Sequence, residues 1–382
     1  MAVPIKNYNI PLNGYRGLCA LAVFLFHISN AGLLPPSEIG ALGYACSALR
    51  YGVEMFFMIS GFVIAGSMLR QPSVWAFLRD RFIRIYAAWA PAVAALTLAL
   101  WALRFTVFEN ATPARALAIF LLNFYLVPPF VPKSLQMLDG AQPYVNPSSW
   151  SLTYECVFYL AAAAALALRH RRDRAGQLLR LCTSALAIAF VIAFPRALFF
   201  LPGLVVFRYK AWFERHKGLL RLPWLSLLMF LLAWRMTGAD KAELTDTMLD
   251  WLLDGRLPFA LIALLAAIHM FASITLRATA QLAFLETRPF QFLGTVSYSF
   301  YLWHAPLVSL VKRLVSALIV SRFGPNVGMI CLFCGSLALT VPLAWVSYEL
   351  CEVRFARWLR GLLTPQPSAA AAALQVQPSH AE

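Results

Sequence analysis

About ten stretches of this 382-residue chain are apolar runs of membrane-spanning type, and that recurrence limits the fold more than any other feature. A spanning helix needs about 20 mostly apolar residues. Backbone in hydrocarbon must satisfy its own hydrogen bonds, which a helix does within one segment. The runs lie at roughly 14–30, 46–69, 85–107, 149–168, 181–195, 197–209, 220–236, 256–275, 293–317 and 327–350. The fifth and sixth are short and meet at Phe194-Pro195, as one broken unit would. The stretch 116–127 is apolar but too short to span, and reads as re-entrant or interfacial. Composition agrees: 61% of residues are hydrophobic and 13% charged, against about 25% charged in an average soluble domain. That excludes an ordinary soluble enzyme, a disordered chain and a disulfide scaffold. The expected fold is all-α, a polytopic transmembrane bundle of about ten helices over residues 1–363. The Pro/Ala/Gln-rich tail 364–382 is expected to be disordered.

Net charge is +15, from 32 Lys+Arg against 17 Asp+Glu. In a soluble protein such an excess would suggest nucleic acid. Here the basic residues sit in short clusters between apolar runs, the positive-inside pattern, so no nucleic-acid partner is expected. Arg70, Arg79, Arg81 and Arg84 follow the second run. Arg169, Arg171, Arg172, Arg174 and Arg180 follow the fourth, and similar clusters follow the sixth, eighth and tenth. Even-numbered helices should therefore end in the cytoplasm, with both termini inside. The acidic loop 237–255 (Asp240, Glu243, Asp246, Asp250, Asp254) and the loop 128–148 should lie outside. The seven cysteines lie mostly in apolar segments and read as packing residues. No metal-ligand cluster and no cleavable signal peptide are expected.

Ionisable groups inside a bilayer are costly, so each is a functional candidate. Arg16 and His27 are eleven residues apart; on a helix that spacing returns to within about 20° of the same face, about 16 Å further along the axis. Glu54 and Ser60 lie on the second run, Glu155 on the fourth and His304 on the ninth, at a depth close to that of His27. With their Trp- and Tyr-rich surroundings they could enclose a polar cavity. The residues alone leave a blander reading open: a snorkelling arginine, buried ion pairs for the carboxylates and hydrogen-bonded packing histidines. Arg81 and Arg84, one helical turn apart, are either membrane-anchoring charges or a clamp for polyphosphate.

Six segments carry these residues. GYRGLCALAVFLFH carries an Arg-x10-His pattern at Arg16 and His27. GVEMFFMISGF carries Glu54, Phe57, Ser60 and Gly61. FLRDRFIRIY carries Arg81 and Arg84. SSWSLTYECVFYL carries Trp150, Ser151, Glu155, Phe158 and Tyr159. LGTVSYSFYLWHAP carries Ser297, Tyr298, Tyr301, His304 and Pro306. YELCEVRF carries Tyr348 and Glu352. In this order, from residue 14 to about 355, they resemble the acyltransferase-3 family of membrane O-acyltransferases. Two prolines of that family's pattern are Ala87 and Arg354 here. The chain is similar to stand-alone members, without a fused extracytoplasmic domain.

The resemblance implies an O-acyltransferase in the bacterial inner membrane that takes an acyl group, acetyl by default, from cytoplasmic acyl-CoA. The acceptor it implies is a hydroxyl of an extracytoplasmic glycan, an exopolysaccharide or lipopolysaccharide sugar. His27, Arg16 and Glu155 would be catalytic, with His27 as general base and Glu155 or Glu54 orienting it. Arg81, Arg84 and Arg16 would bind the CoA phosphates. Glu54, Ser60, Trp150, Tyr298 and His304 would line the substrate site. Acetyl-CoA is then a co-substrate, and no metal is required. A secondary transporter, or a non-catalytic part of an envelope polysaccharide system, is the alternative reading.

Overall fold

The structure is a computed structural model in which residues 9–34, 38, 40–71, 73–104, 108–130, 144–238 and 246–364 are described. Among these residues every regular element is helical. The tail beyond Thr364, most of the loop 128–148, and Asp240 and Glu243 lie outside the described residues.

Local signals start the helices where the sequence supplies caps. The first, α1 (Ile10–Ser29), begins where the Asn9 side chain accepts from the Leu12 amide at 3.1 Å, with Pro11 in the first turn. It runs unbroken past both Arg16 and His27. Then come α2 (Gly52–Arg70), α3 (Val74–Ala102, capped by Ser73) and α4 (Pro113–Phe124, capped by Thr112). At 12 residues α4 is about 18 Å long, too short to span. Next are α5 (Trp150–Leu168), α6 (Arg174–Ala193), α7 (Phe200–Arg208), α8 (Pro223–Met236) and α9 (Leu257–Thr275). The last are α10 (Ser297–Val315) and α11 (Ser321–Ser347), the latter interrupted at Gly324, where φ is 80°. A π-helical stretch, Tyr348–Phe355, and a short helix, Ala356–Leu363, follow.

Six helical stretches among the described residues are long and apolar enough to cross a bilayer: 49–70, 74–102, 147–168, 174–193, 257–275 and the continuous 297–363. The chain is a multi-pass, all-α membrane protein. The last stretch contains two of the expected spans. The fifth expected run is not short: α6 extends upstream to Arg174, through a polar first turn. It is separated from α7 by a 3-10 segment, Pro195–Phe199, so the break at Phe194-Pro195 is real. Neither α7 (nine residues) nor α8 (14 residues) is long enough to span alone.

The bundle packs in pairs: α2 on α7, α8 on α9, α10 on α11, with α1 against α2, α10 and the short helix Arg288–Thr295. The α2–α7 pair brings backbone against backbone at two points. A Cβ on Gly61 would sit 2.1 Å from the Phe200 carbonyl oxygen, and one on Gly203 would sit 2.0 Å from that of Met58. Helices in lipid lack a hydrophobic drive to associate and gain instead from such close approach. Gly61, next to Ser60, thus fixes the height of Ser60 against α7. Ala87, at one of the two departures from the family pattern, is 1% exposed and packs against Ala356, so this position is structural.

Candidate functional site

The helices converge on a cavity of about 370 Å³, within the roughly 300–1,000 Å³ range of small-molecule sites. Asn9, Arg16, Arg70, Arg81 and Arg84 line it together with Phe56, Ser60, Ser151, Glu155 and Tyr301. Four guanidiniums from α1, α2 and α3 thus share one space. Ion pairing places their end of the bundle beside the C-terminal helix. Arg84 Nη1 donates to Glu352 Oε2 at 2.7 Å, and Arg79 Nη1 donates to Thr364 Oγ1 at 3.0 Å.

Two of the cavity arginines are visibly held in orientation. Arg84 lies over the Tyr298 ring at 5.0 Å. Its partner Glu352 also accepts from the Ser299 amide at 3.1 Å and hydroxyl at 2.7 Å. Glu352 therefore ties α3 to the first turn of α10, and it does so from a π-helical stretch, where the widened turn re-aims the side chain. Tyr298 is fixed in turn by donating to the Ile85 carbonyl at 2.8 Å. Arg81 Nη2 donates to Ser67 Oγ at 3.3 Å, and its guanidinium lies 5.8 Å from the rings of Phe77 and Tyr159. Planar guanidiniums stacked on aromatic faces present their forks in fixed directions, which suits phosphate oxygens.

The two membrane carboxylates occupy different surroundings. Glu155 is on the cavity wall, where its Oε1 accepts from Ser60 Oγ at 2.8 Å and from the Tyr159 hydroxyl. Glu54 is fully buried and lies off the cavity. It pairs with Arg196 at 3.1 Å and accepts from Trp234 Nε1 at 3.3 Å. Arg196 stands over the Trp150 ring at 5.2 Å. The ion-pair reading of Glu54 is therefore the one the geometry supports, and Trp150 serves that pair. Among the described residues neither carboxylate is hydrogen-bonded to an imidazole. Their helices present Glu54 to Arg196 and Glu155 to Ser60.

His27 and His304 come together instead. Their ring centroids are 5.0 Å apart, edge to face. His304 is fully buried. Its Nδ1 faces the Tyr301 carbonyl at 2.8 Å and the Phe300 carbonyl at 3.2 Å. Neither histidine lines the cavity, but Tyr301 does, and its ring lies 5.5 Å from that of His304. Tyr301 is itself pinned: its hydroxyl donates to the Ser148 carbonyl at 2.8 Å and lies 2.9 Å from Ser151 Oγ.

Of the ten site residues expected from the sequence, the cavity gathers Arg16, Ser60, Arg81, Arg84, Glu155 and Tyr298. It leaves His304 one side chain beyond it, behind Tyr301, with His27 against His304, and it leaves Glu54 and Trp150 in a separate buried cluster. Sequence reasoning missed Arg70 in the cavity and Arg196 as the partner of Glu54. Arg70 read as one more anchoring charge. Arg196 followed the helix-breaking Pro195, where nothing local signalled a partner 142 positions away.

A model described as an acyltransferase domain matches residues 9–348. Over 161 residues the chain is 32% identical to "Acyltransferase MdmB" of Streptomyces mycarofaciens, covering 41% of this chain and 39% of that protein. Over 142 residues it is 32% identical to "Nodulation protein 10" of Rhizobium leguminosarum bv. viciae, covering 33% of this chain and 36% of that protein. The matched segments thus span well under half of either relative. No solved structure matches the chain. The cavity, the order of the six segments and a match over nearly the whole chain agree: this protein belongs to the acyltransferase-3 family.

Proposed function

We propose that the protein is a membrane O-acyltransferase that takes an acyl group, acetyl first, from cytoplasmic acyl-CoA. It passes the group to a hydroxyl of an extracytoplasmic glycan across the bacterial inner membrane. The observation that carries this reading is the cavity that four guanidiniums share, with an imidazole pair behind its Tyr301 wall. A nucleotide polyphosphate needs the first, and removal of a proton from a hydroxyl needs the second. Arg16, Arg70, Arg81 and Arg84 bind the phosphates at the cytoplasmic mouth, where the positive-inside pattern puts them. The acyl-pantetheine arm lies along the cavity towards Tyr301. Glu155, with Ser60 and Tyr159, keeps the wall polar and balances part of the guanidinium charge.

His27 then takes the proton of the acceptor hydroxyl as its oxygen attacks the thioester carbonyl. The C–S bond breaks, the imidazolium returns its proton to the departing sulfur, and the products are free CoA thiol and an O-acyl ester. A neutral imidazole suits this role, and such assistance is typically worth about 10²–10⁴ in rate. The relative named as an acyltransferase supports the reaction class.

The test is release of CoA thiol from acetyl-CoA by the purified protein in vesicles, with crude envelope glycan as acceptor. Release that requires glycan and is lost in His27→Ala is the expected result. Release unaffected by that substitution would remove His27 from the chemistry. No release with acetyl-, succinyl- or longer acyl-CoA would move weight to a transporter, which consumes no thioester.

A further inference from the structure

His304 carries an unused hydrogen-bonding atom at a position where such atoms are costly. The side chain is fully buried, and among the described residues its Nε2 has no partner. Its Nδ1 faces only backbone carbonyls, those of Tyr301 and Phe300. A carbonyl oxygen can only accept, so Nδ1 carries a proton; in the neutral ring Nε2 is then a bare acceptor. An acceptor left unpaired in the protein interior costs free energy unless something is meant to meet it. The ring beside it is that of His27, at 5.0 Å between centroids. No hydrogen bond joins the two rings as they stand, but at that separation a reorientation of the His27 ring brings one of its nitrogens within hydrogen-bonding distance of Nε2.

The geometry points to His304 as the positioning residue of His27, a role the sequence had given to a carboxylate. The backbone of α10 fixes the tautomer of His304, and on that reorientation His304 Nε2 accepts the N–H of His27. The nitrogen of His27 that faces His304 is thereby the protonated one, and the other keeps its lone pair for the acceptor hydroxyl. This is the orienting role of the third member of a catalytic triad, filled by a neutral imidazole. It also accounts for Glu54 and Glu155 being engaged elsewhere. The inference rests on the reading of His27 as the base.

Two measurements test it. The first uses the full chain, labelled with 15N-histidine, in nanodiscs of phosphatidylethanolamine and phosphatidylglycerol. The ring signals of His27 are assigned by their loss in His27→Gln. One protonated and one bare nitrogen are expected for His27 in wild type and in His304→Gln, whose amide oxygen replaces Nε2. His304→Leu should instead give exchange between two tautomers. A single tautomer that survives in His304→Leu, or a mixture in wild type, overturns the inference.

The second follows thiol release. His304→Leu should lower kcat by about 10²-fold, the scale of general-base assistance. KM for acetyl-CoA should stay within about twofold, because ground-state binding is untouched. His304→Gln should recover at least about tenfold of that loss. Equal impairment of the two variants, or a rise in KM with kcat intact, would mean a packing or substrate-binding residue. The labelling measurement needs no acyl transfer. A tautomer fixed by His304 together with thiol release indifferent to His27→Ala would therefore sink the proposed function while leaving the pairing of the two histidines in place.

Discussion

Glu54 and Glu155 sit on neighbouring helices, and the resemblance placed both at the site. One is closed off by Arg196, Trp234 and the Trp150 ring, with no exposed surface. The other faces a cavity and, among the described residues, is held by two hydroxyls. A buried ion pair contributes little net stability, yet removing one member strands the other charge. A carboxylate held by hydroxyls on a cavity wall remains available to a ligand. A charge in a membrane segment is therefore not by itself a site; what it is paired with decides.

Substitutions can break that contrast, in descending order of effect. Glu54→Leu should cost about 3–5 kcal/mol of stability by stranding Arg196, read as a loss of folded, monodisperse protein in detergent. Adding Arg196→Met should restore most of it; a double variant no better than the single would refute the pairing. Glu155→Leu should leave the thermal transition in place and lower thiol release by about 1.5–3 kcal/mol in kcat/KM, the worth of hydrogen bonds to a charged group. Should it unfold the protein as Glu54→Leu does, the two carboxylates would be equivalent. Arg81→Leu should raise KM for acetyl-CoA about tenfold with kcat nearly constant, the signature of lost uniform binding. Ser60→Ala removes one neutral donor from Glu155 and should cost only about 1 kcal/mol in kcat/KM. An effect as large as that of Glu155→Leu would instead give Ser60 a direct part in the chemistry.

Much of this was legible in the sequence. The eleven-residue spacing put Arg16 and His27 on one helix face, and α1 is indeed continuous through both. The one-turn spacing of Arg81 and Arg84 placed both on the cavity wall. What escaped was long-range. Arg196 meets Glu54 across 142 positions, and Glu352 meets Arg84 across 268, so no local period carries either pairing. The resemblance named Glu352 but gave it no role; the structure makes it the brace between α3 and α10. The start of α6 was missed for another reason. Arg174, Gln177 and Arg180 lower the hydropathy of its first turns, although an arginine stem lies along an apolar helix while its head reaches water.

Helix α6 also differs from its neighbours in what holds it. Only Gly176 of its 20 residues is buried, while Leu178, Leu181, Leu186 and Ile188 face outward. It touches the body through Phe190 and Val191 near one end. At about 30 Å it is as long as the hydrocarbon is thick. Its tilt is accordingly set by hydrophobic matching to the surrounding lipid more than by knobs and grooves. The body, pinned at Gly61 and Gly203, keeps its register in a thin or a thick bilayer alike. In a short-chain detergent the same helix has nothing to match, so the choice of solubilising lipid governs whether α5 and the segment at Pro195 keep their outer support during purification.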